Sequence, residues 1–405
     1  MYKRWQEENI KSALTKRRVV ILAGARQCGK TTLSKTIFKN YRTLDDFALY
    51  DAAKNDPKLF VKNPSNDTMV IDEIQKVPEL VTAIKQVVDD DNRYGQYLIT
   101  GSVNIQNLPT VKESLAGRVK KVRLRPLSQA EIEGRSANFL NRISTLNFIQ
   151  NKKYDKENIS ELIFKGGYPE ALSINNEKER KSWFNDYINT ILENDLKVIA
   201  NIKRQDYLKD LFSIIASFSS KFIDKSKITS SLGIVNQTLD SYISVLENTY
   251  LVDRLSPWLK SDYERVNKQP KFFITDTGLM SAVLGWNFKD LFLDQDKSGK
   301  VFETFVYNEL MAEIEIKDEE YKLHHYRDRN NHEIDFIIEA PQDTIYGIEV
   351  KSGSSMSRDY FKHLKWFKEH LAKEKKFIGI VLYTGEHVIE FYENMFAVPM
   401  NNLWE

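Results

Sequence analysis

In the first third of the chain, mostly apolar runs of four or five residues recur at Val19 to Ala23, Thr68 to Ile71 and Gln96 to Thr100. Short buried runs bounded by turn residues read as strands, and the helical spacing from Lys30 to Lys39 supplies a crossover between the first two. Strands alternating with helices predict an α/β domain with a parallel sheet. From Ile159 to about Phe222 the apolar positions fall three and four apart, as in WFNDYINTILENDLKVI, which predicts a helical connector. Residues 225–255 predict a helix, a tight turn at Gly233, a helix opened by an Asn236 cap, and a strand. That order is a winged-helix pattern. Beyond residue 297 the alternation returns, with a helix from Val301 to Met311, strands near Leu323 to Arg327, Glu333 to Ile338 and Tyr346 to Val350, and a helix from Arg358 to Leu371. The expected division is therefore 1–135, 136–222, 223–296 and 297–405.

Length agrees with several modules, since 405 residues exceed one ordinary core. Fifty-nine basic against fifty-seven acidic side chains leave a net charge of +2, so any surface for a polyanion must be local. One such cluster is Lys120, Lys121, Arg123 and Arg125, which reads as a solvated edge. The single cysteine, Cys28, excludes an internal disulfide and fits a reducing compartment. The N-terminus lacks the apolar core of a signal peptide, and no stretch approaches about 18 uncharged apolar residues. The cytoplasm is the expected location.

Gly24-Ala25-Arg26-Gln27-Cys28-Gly29-Lys30-Thr31 has the spacing of a phosphate-binding loop, between an apolar strand and a helix. Glycines let main-chain amides turn toward phosphates, the helix directs its positive end at them, Lys30 reaches the outer phosphates, and Thr31 coordinates magnesium. Thr32 continues that first helical turn, and Cys28 reads as a small packing residue. MVIDEIQ places Asp72 at a strand end to hold the magnesium shell and Glu73 beside it as the base for an attacking water. In LITGS, Thr100 is the first choice, and Ser102 the second, to sense the outer phosphate or hold that water. Arg118, after Gly117, is expected to reach a phosphate of its own or a neighbouring subunit.

GARQCGKTTL, VIDEIQ, LITGS and SLAGR together resemble the AAA-type ATPases of prokaryotes that carry a C-terminal domain of unknown function. FKGGYPEAL, SYISVLENTYLV, PWLKSDYERVNKQPKFFITDTGL and GKVFETFVYNEL extend the resemblance over nearly the whole chain. It implies ATP binding and an AAA-like P-loop core. Cys28 departs from that pattern, where another small or aliphatic residue is more usual.

Glu303 falls in the helix VFETFVYNEL, Asp335 in the strand EIDFII, and Glu349 and Lys351 in IEVKS. Strand alternation puts Glu349 and Lys351 on one face, where both meet Asp335 from the adjacent strand. The order resembles the core of restriction-endonuclease-like phosphodiesterases, which implies a second Mg2+ or Mn2+ held by Asp335 and Glu349, with Glu303 and Lys351 completing the site. His324, His325 and His332 fit no ligand spacing and read as solvent-facing strand positions. Helix residues Gln237 to Asn248 carry no Lys or Arg, although Lys221, Lys225 and Lys227 precede them as candidate phosphate contacts.

The combined expectation is an ATP- and Mg2+-dependent switch coupled to a C-terminal nuclease acting on nucleic acid, DNA ahead of RNA. Its rival is an ATPase whose C-terminal domain only docks nucleic acid or protein. Further copies of the chain are candidate partners in either case, and a membrane is not.

Overall fold

The computed structural model describes residues 1–64, 67–101, 117–151, 153–192, 205–259, 269–317 and 320–405. They form two compact units, one built on Met1–Pro126 with Ser244–Leu251, the other on Leu127–Leu192, the described part of 202–243, and Val252–Glu405. Most residues expected as connector, winged-helix segment and C-terminal domain thus fall in the second unit, and Ser244–Leu251 in the first.

The first unit is a five-stranded sheet of β1 (Val19–Ala23), β2 (Tyr41–Thr43), β3 (Met69–Asp72), β4 (Tyr97–Gly101) and β5 (Val119–Arg123), in the order β2-β3-β4-β1-β5. Every pairing is parallel, as the strand and helix alternation predicts. Each of the five β1 residues is completely buried, which is why that strand is apolar without alternation. Parallel register has a further consequence: Ala23 lies opposite Gly101 and Thr43 opposite Asp72, so the segments after β1, β3 and β4 leave the sheet at the same edge.

Helix Lys225–Leu232 of the second unit and helix Asn236–Asn248, which crosses the division at Ser244, flank Gly233, which caps the first of the two in the left-handed conformation. Asn236 is the first helical residue rather than the cap before it. An antiparallel pair follows, β6 (Val252–Leu255) and β7 (Lys271–Ile274). A long helix, Gln295–Ile314, then leads into a six-stranded mixed sheet of β8 (Lys322–Arg327), β9 (Glu333–Ala340), β10 (Thr344–Val350), β11 (Lys376–Tyr383), β12 (Ile389–Tyr392) and β13 (Met395–Pro399). Its order is β12-β13-β11-β10-β9-β8, with β10, β11 and β13 parallel. Helix Lys362–His370 packs Leu364 and Phe367 into the core beside Trp258 and Phe377.

Two of the family-like segments form one joint. Asp276 caps helix Thr277–Val283 through the Leu279 amide at 2.7 Å and accepts the Gly167 amide at 2.6 Å. A Cβ on Gly166 would lie 2.4 Å from Asp276, and one on Gly167 would lie 2.1 Å from the Leu127 carbonyl, so FKGG admits no side chain at either glycine. Burial pushes the Asp276 carboxyl up to about 6.

The long helix supplies similar anchors. Glu309 accepts the Gln129 amide at 2.8 Å, and Glu313 accepts those of Phe139 and Leu140 at 3.0 and 3.1 Å, satisfying helix starts that lie far away in sequence. Burial raises Glu309 from 4.5 to about 8 and Glu313 from 4.5 to about 7, against the pull of those amides. Both therefore bind protons more tightly folded than unfolded, and the stability they contribute is complete below about 4.5 and lost as pH rises through 7 to 8. The unfolding temperature is expected to fall between pH 5.5 and pH 8.5, and Glu309→Gln, which keeps an acceptor without the ionisation, should flatten that slope; an unchanged slope would refute the assignment.

Candidate functional site

At the shared edge of the parallel sheet, the segment after β1 turns into helix Lys30–Ile37. A Cβ on Gly24 would lie 2.1 Å from the Leu124 carbonyl, so the loop approaches the end of β5 as only glycine permits. Gly29 caps the helix at φ 103, and Gln27 is also left-handed at φ 58. Cys28 is fully buried, its Sγ 3.3 Å from the Leu124 carbonyl, so it packs under the loop and offers a ligand only its main chain. Ala25 is buried as well, Arg26 and Thr31 are half-buried, and Gln27 and Thr32 face outward. Lys30 is 5% exposed and donates to the Gly24 and Ala25 carbonyls at 2.9 and 2.8 Å, which places its ammonium on the loop.

Asp72 is the centre of this edge. Thr31 Oγ1 donates to Asp72 Oδ2 at 2.9 Å, the Tyr41 hydroxyl donates to the same oxygen, and the Thr100 hydroxyl donates to Oδ1. The Glu73 amide in turn donates to Thr100 Oγ1 at 3.3 Å. Glu73 has φ 60, a left-handed conformation costly for a side chain of its size, and its carboxylate accepts from the Gln75 amide group. A hydroxyl and a carboxylate side by side at the end of β3 are the oxygen donors that magnesium takes with a triphosphate, so Thr31 and Asp72 fit that ion. Ser102 lies outside the described residues.

Sequence reasoning missed two supports of this edge. Burial, and then the Asp72 carboxylate, hold the Tyr41 phenol above its ordinary value. Arg4 donates to the Cys28 carbonyl at 2.7 Å and the Arg125 carbonyl at 2.6 Å, clamping the loop to the end of β5. Neither has a local motif, because each acts across a long sequence separation.

Arg118 is not brought to the loop of its own unit. It precedes β5, and its carbonyl accepts the Val19 amide at 3.4 Å, so it sits at the opposite edge, about 16 Å of strand from Gly24. There its guanidinium pairs with Asp89 at 2.5 Å. The neighbouring cations are not a solvated edge either: Arg125 is 5% exposed, and Lys121 and Arg123 lie over the Tyr250 ring at 5.5 and 5.1 Å.

In the second unit, β9 and β10 do bring the expected side chains together. Asp335 Oδ2 accepts the Val350 amide at 2.9 Å, and Lys351 Nζ lies 2.9 Å from Glu349 Oε2. Burial, reinforced by Asp335 and opposed by Lys351, pushes Glu349 up to about 8. Glu303 joins from the long helix, but as the partner of Lys271 at 3.0 Å and Lys221 at 3.3 Å. Lys271 was not foreseen; a single lysine opening the apolar run KFFI is the only sequence sign of it. Among the described residues no group of three or more His, Cys, Asp or Glu side chains is placed to hold a metal ion. A second Mg2+ or Mn2+ is thus not shown there.

Other expectations are corrected. Lys221 turns inward to Glu303, and Lys225 pairs with Asp240 at 2.6 Å, whereas Lys227 stays exposed. His324 and His325 are not solvent-facing but 8% and 1% exposed. The register shifts between His324 and Tyr326, and the outer edge of β8 is covered by Ser256 and Trp258, whose main chains bond that of His325. Burial drives His325 down to about 3. His332 bonds Asp328 at 2.8 Å and stacks on Trp366.

Residues 16–133 match the family model described as an AAA domain. That match covers the phosphate loop and parallel sheet of the first unit, a P-loop NTPase-like domain. Residues 156–290 and 298–403 match two further models, each described as a domain of unknown function (DUF8612 and DUF4143). The chain is similar to an uncharacterized protein of Mycobacterium tuberculosis, 27% identical over 397 residues, which are 97% of this chain and 82% of that one. Another, from Methanocaldococcus jannaschii, is 25% identical over 349 residues, 82% and 74% of the two chains. Among solved structures, the Walker-type ATPase of Pyrococcus abyssi aligns with a TM-score of 0.45 at 14% identity, over 70% of this chain and 96% of that one. Among the described residues no helix is long and apolar enough to cross a membrane.

The clamp makes a prediction. Arg4→Met leaves two buried carbonyls without their charged donor, which should destabilise the first unit by about 2–4 kcal/mol and weaken nucleotide binding. Thermal unfolding with and without ADP and Mg2+ reads both effects, and an unshifted curve would contradict the role given to Arg4.

Proposed function

We propose that this protein is an ATP-hydrolysing switch. The Gly24 to Thr31 amides and Lys30 receive the phosphates, while Thr31 and Asp72 would hold magnesium, which when bound neutralises charge on the outer phosphates. Glu73 takes the proton of the attacking water as its oxygen bonds the outer phosphorus and the bond to the ADP oxygen breaks. Thr100 positions the pair, since one hydroxyl donates to Asp72 and accepts the amide of Glu73. The observation that carries this reading is the convergence of Thr31 and Thr100 on Asp72, with the Glu73 amide bonded to Thr100. The opposite-edge position of Arg118 favours a role toward a neighbouring copy, or as the ion-pair partner of Asp89, over one at its own loop.

For the second unit we propose docking of a nucleic-acid or protein partner, with ATP turnover resetting the complex; the helix–turn–helix and β6–β7 pair form the winged-helix-like part. A nuclease is the second reading, favoured by the meeting of Asp335, Glu349 and Lys351. The lysines paired with Glu303 weigh against it in this arrangement.

Lys30→Ala is expected to lower ATP turnover at least about 100-fold, and Glu73→Gln about 10² to 10⁴-fold with nucleotide still bound. Normal turnover in Lys30→Ala would defeat the central assignment. Wild-type protein with Mg2+ or Mn2+ should leave DNA and RNA intact with or without ATP; cutting that disappears in Lys351→Ala would instead select the nuclease reading.

A further inference from the structure

The C-terminal carboxylates already have a cation, supplied by the chain. Lys271 is completely buried, and its ammonium lies 3.0 Å from Glu303 and 3.0 Å from Glu333. Lys221 reaches the other Glu303 oxygen at 3.3 Å, and Lys351 reaches Glu349 at 2.9 Å. Asp335 is within electrostatic range of all three lysines. The charged groups of the cluster are thus Lys221, Lys271, Lys351 and, 3.9 Å from Glu333, Arg327 against Glu303, Glu333, Asp335 and Glu349. A divalent ion needs carboxylate oxygens free to point at it and a surplus of negative charge. Here Glu303 has an ammonium on each oxygen, and the four carboxyl groups face three ammonium groups and the Arg327 guanidinium before any ion arrives.

The elements that deliver these lysines matter. Lys271 opens β7 and Lys221 follows helix Gln205–Ser217, both outside the mixed sheet that carries Asp335 and Glu349. Phe222 lies beneath the Lys271 ammonium at 5.5 Å and bridges to Lys271 through the main chain, so the two lysines belong to one packed strip. A buried ammonium with two carboxylates stays in place because removing its partners would leave an uncompensated charge in a low dielectric.

We infer that Lys271, assisted by Lys221, is an internal cation that locks the carboxylate cluster and excludes a divalent metal from it. The inference rests on the docking reading of this unit and specifies how its nuclease-like site is kept closed. Withdrawal of the strip bearing Lys221 and Lys271 is what would open the site.

The test counts Mn2+ bound by the full chain without nucleotide, by electron paramagnetic resonance, in an Asp72→Asn background that removes the P-loop ligand. The parent should bind no Mn2+ that depends on Asp335. Lys271→Met should gain one equivalent, bound at least about tenfold more tightly than any residual Mn2+ on the parent, and Asp335→Asn added to it should abolish the gain. Lys221→Met, whose side chain is 45% exposed, tests the same exclusion if Lys271→Met does not fold, and Lys271→Arg should keep the site closed. Asp335-dependent Mn2+ in the parent, or no gain in a folded lysine variant, would overturn the lock. Cutting is scored separately: Mn2+ gained without cleavage of DNA or RNA upholds both lock and docking, while cleavage by the unlocked variant upholds the lock and removes docking as the unit's only role.

Discussion

The first unit depends on where a parallel sheet lets its chain out. With β1, β3 and β4 in register, their following residues emerge at one edge, and the loop, Asp72 and Thr100 meet there although they come from separated segments. Asp72 then carries the arrangement, because one carboxylate accepts from Thr31, Tyr41 and Thr100. Three donors fix both oxygens in direction, so a cation arriving with the phosphates finds the acid already oriented. The left-handed turn at Glu73 takes the chain out of the strand direction directly after Asp72, and its carboxylate accepts from Gln75.

Local spacing made this half of the molecule legible. Gly24 to Thr31 and Asp72-Glu73 each sit within a few residues of a strand end, where sequence order and spatial order agree. The misplaced residue, Arg118, shows the limit of that rule. It looks like a loop residue next to a Gly turn, but it precedes its strand, and in a parallel sheet the start and the end of a strand face opposite edges. Whether a residue stands before or after a strand therefore matters more than its nearness to a turn.

Acids in the second unit were harder to interpret because identical side chains do three different things. Asp276 accepts the remote Gly167 amide, and Glu309 and Glu313 accept main-chain amides from remote helix starts, which makes all three anchors. Asp335 also accepts an amide, from Val350, yet it faces the ammonium groups. Glu303 is wholly an ion-pair partner. No pattern in the sequence separates these fates, since each is set by the donor that tertiary folding brings. The spacing of Glu349 and Lys351 predicted their shared face, but nothing local announced that Lys271 would come from another strand pair.

The two carboxylate sites can be contrasted by the kind of donor they meet. Around Asp72 the donors are hydroxyls, which orient a carboxylate without cancelling its charge, and which can turn to accept or share when a cation comes. Around Glu303 the donors are ammonium groups, which orient and neutralise together and cannot accept at all. An anion satisfied by hydroxyls keeps its attraction for a metal, whereas one satisfied by buried lysines has spent it. A carboxylate is thus primed in one unit and silenced in the other, and the difference lies in proton donors that carry no charge against proton donors that do.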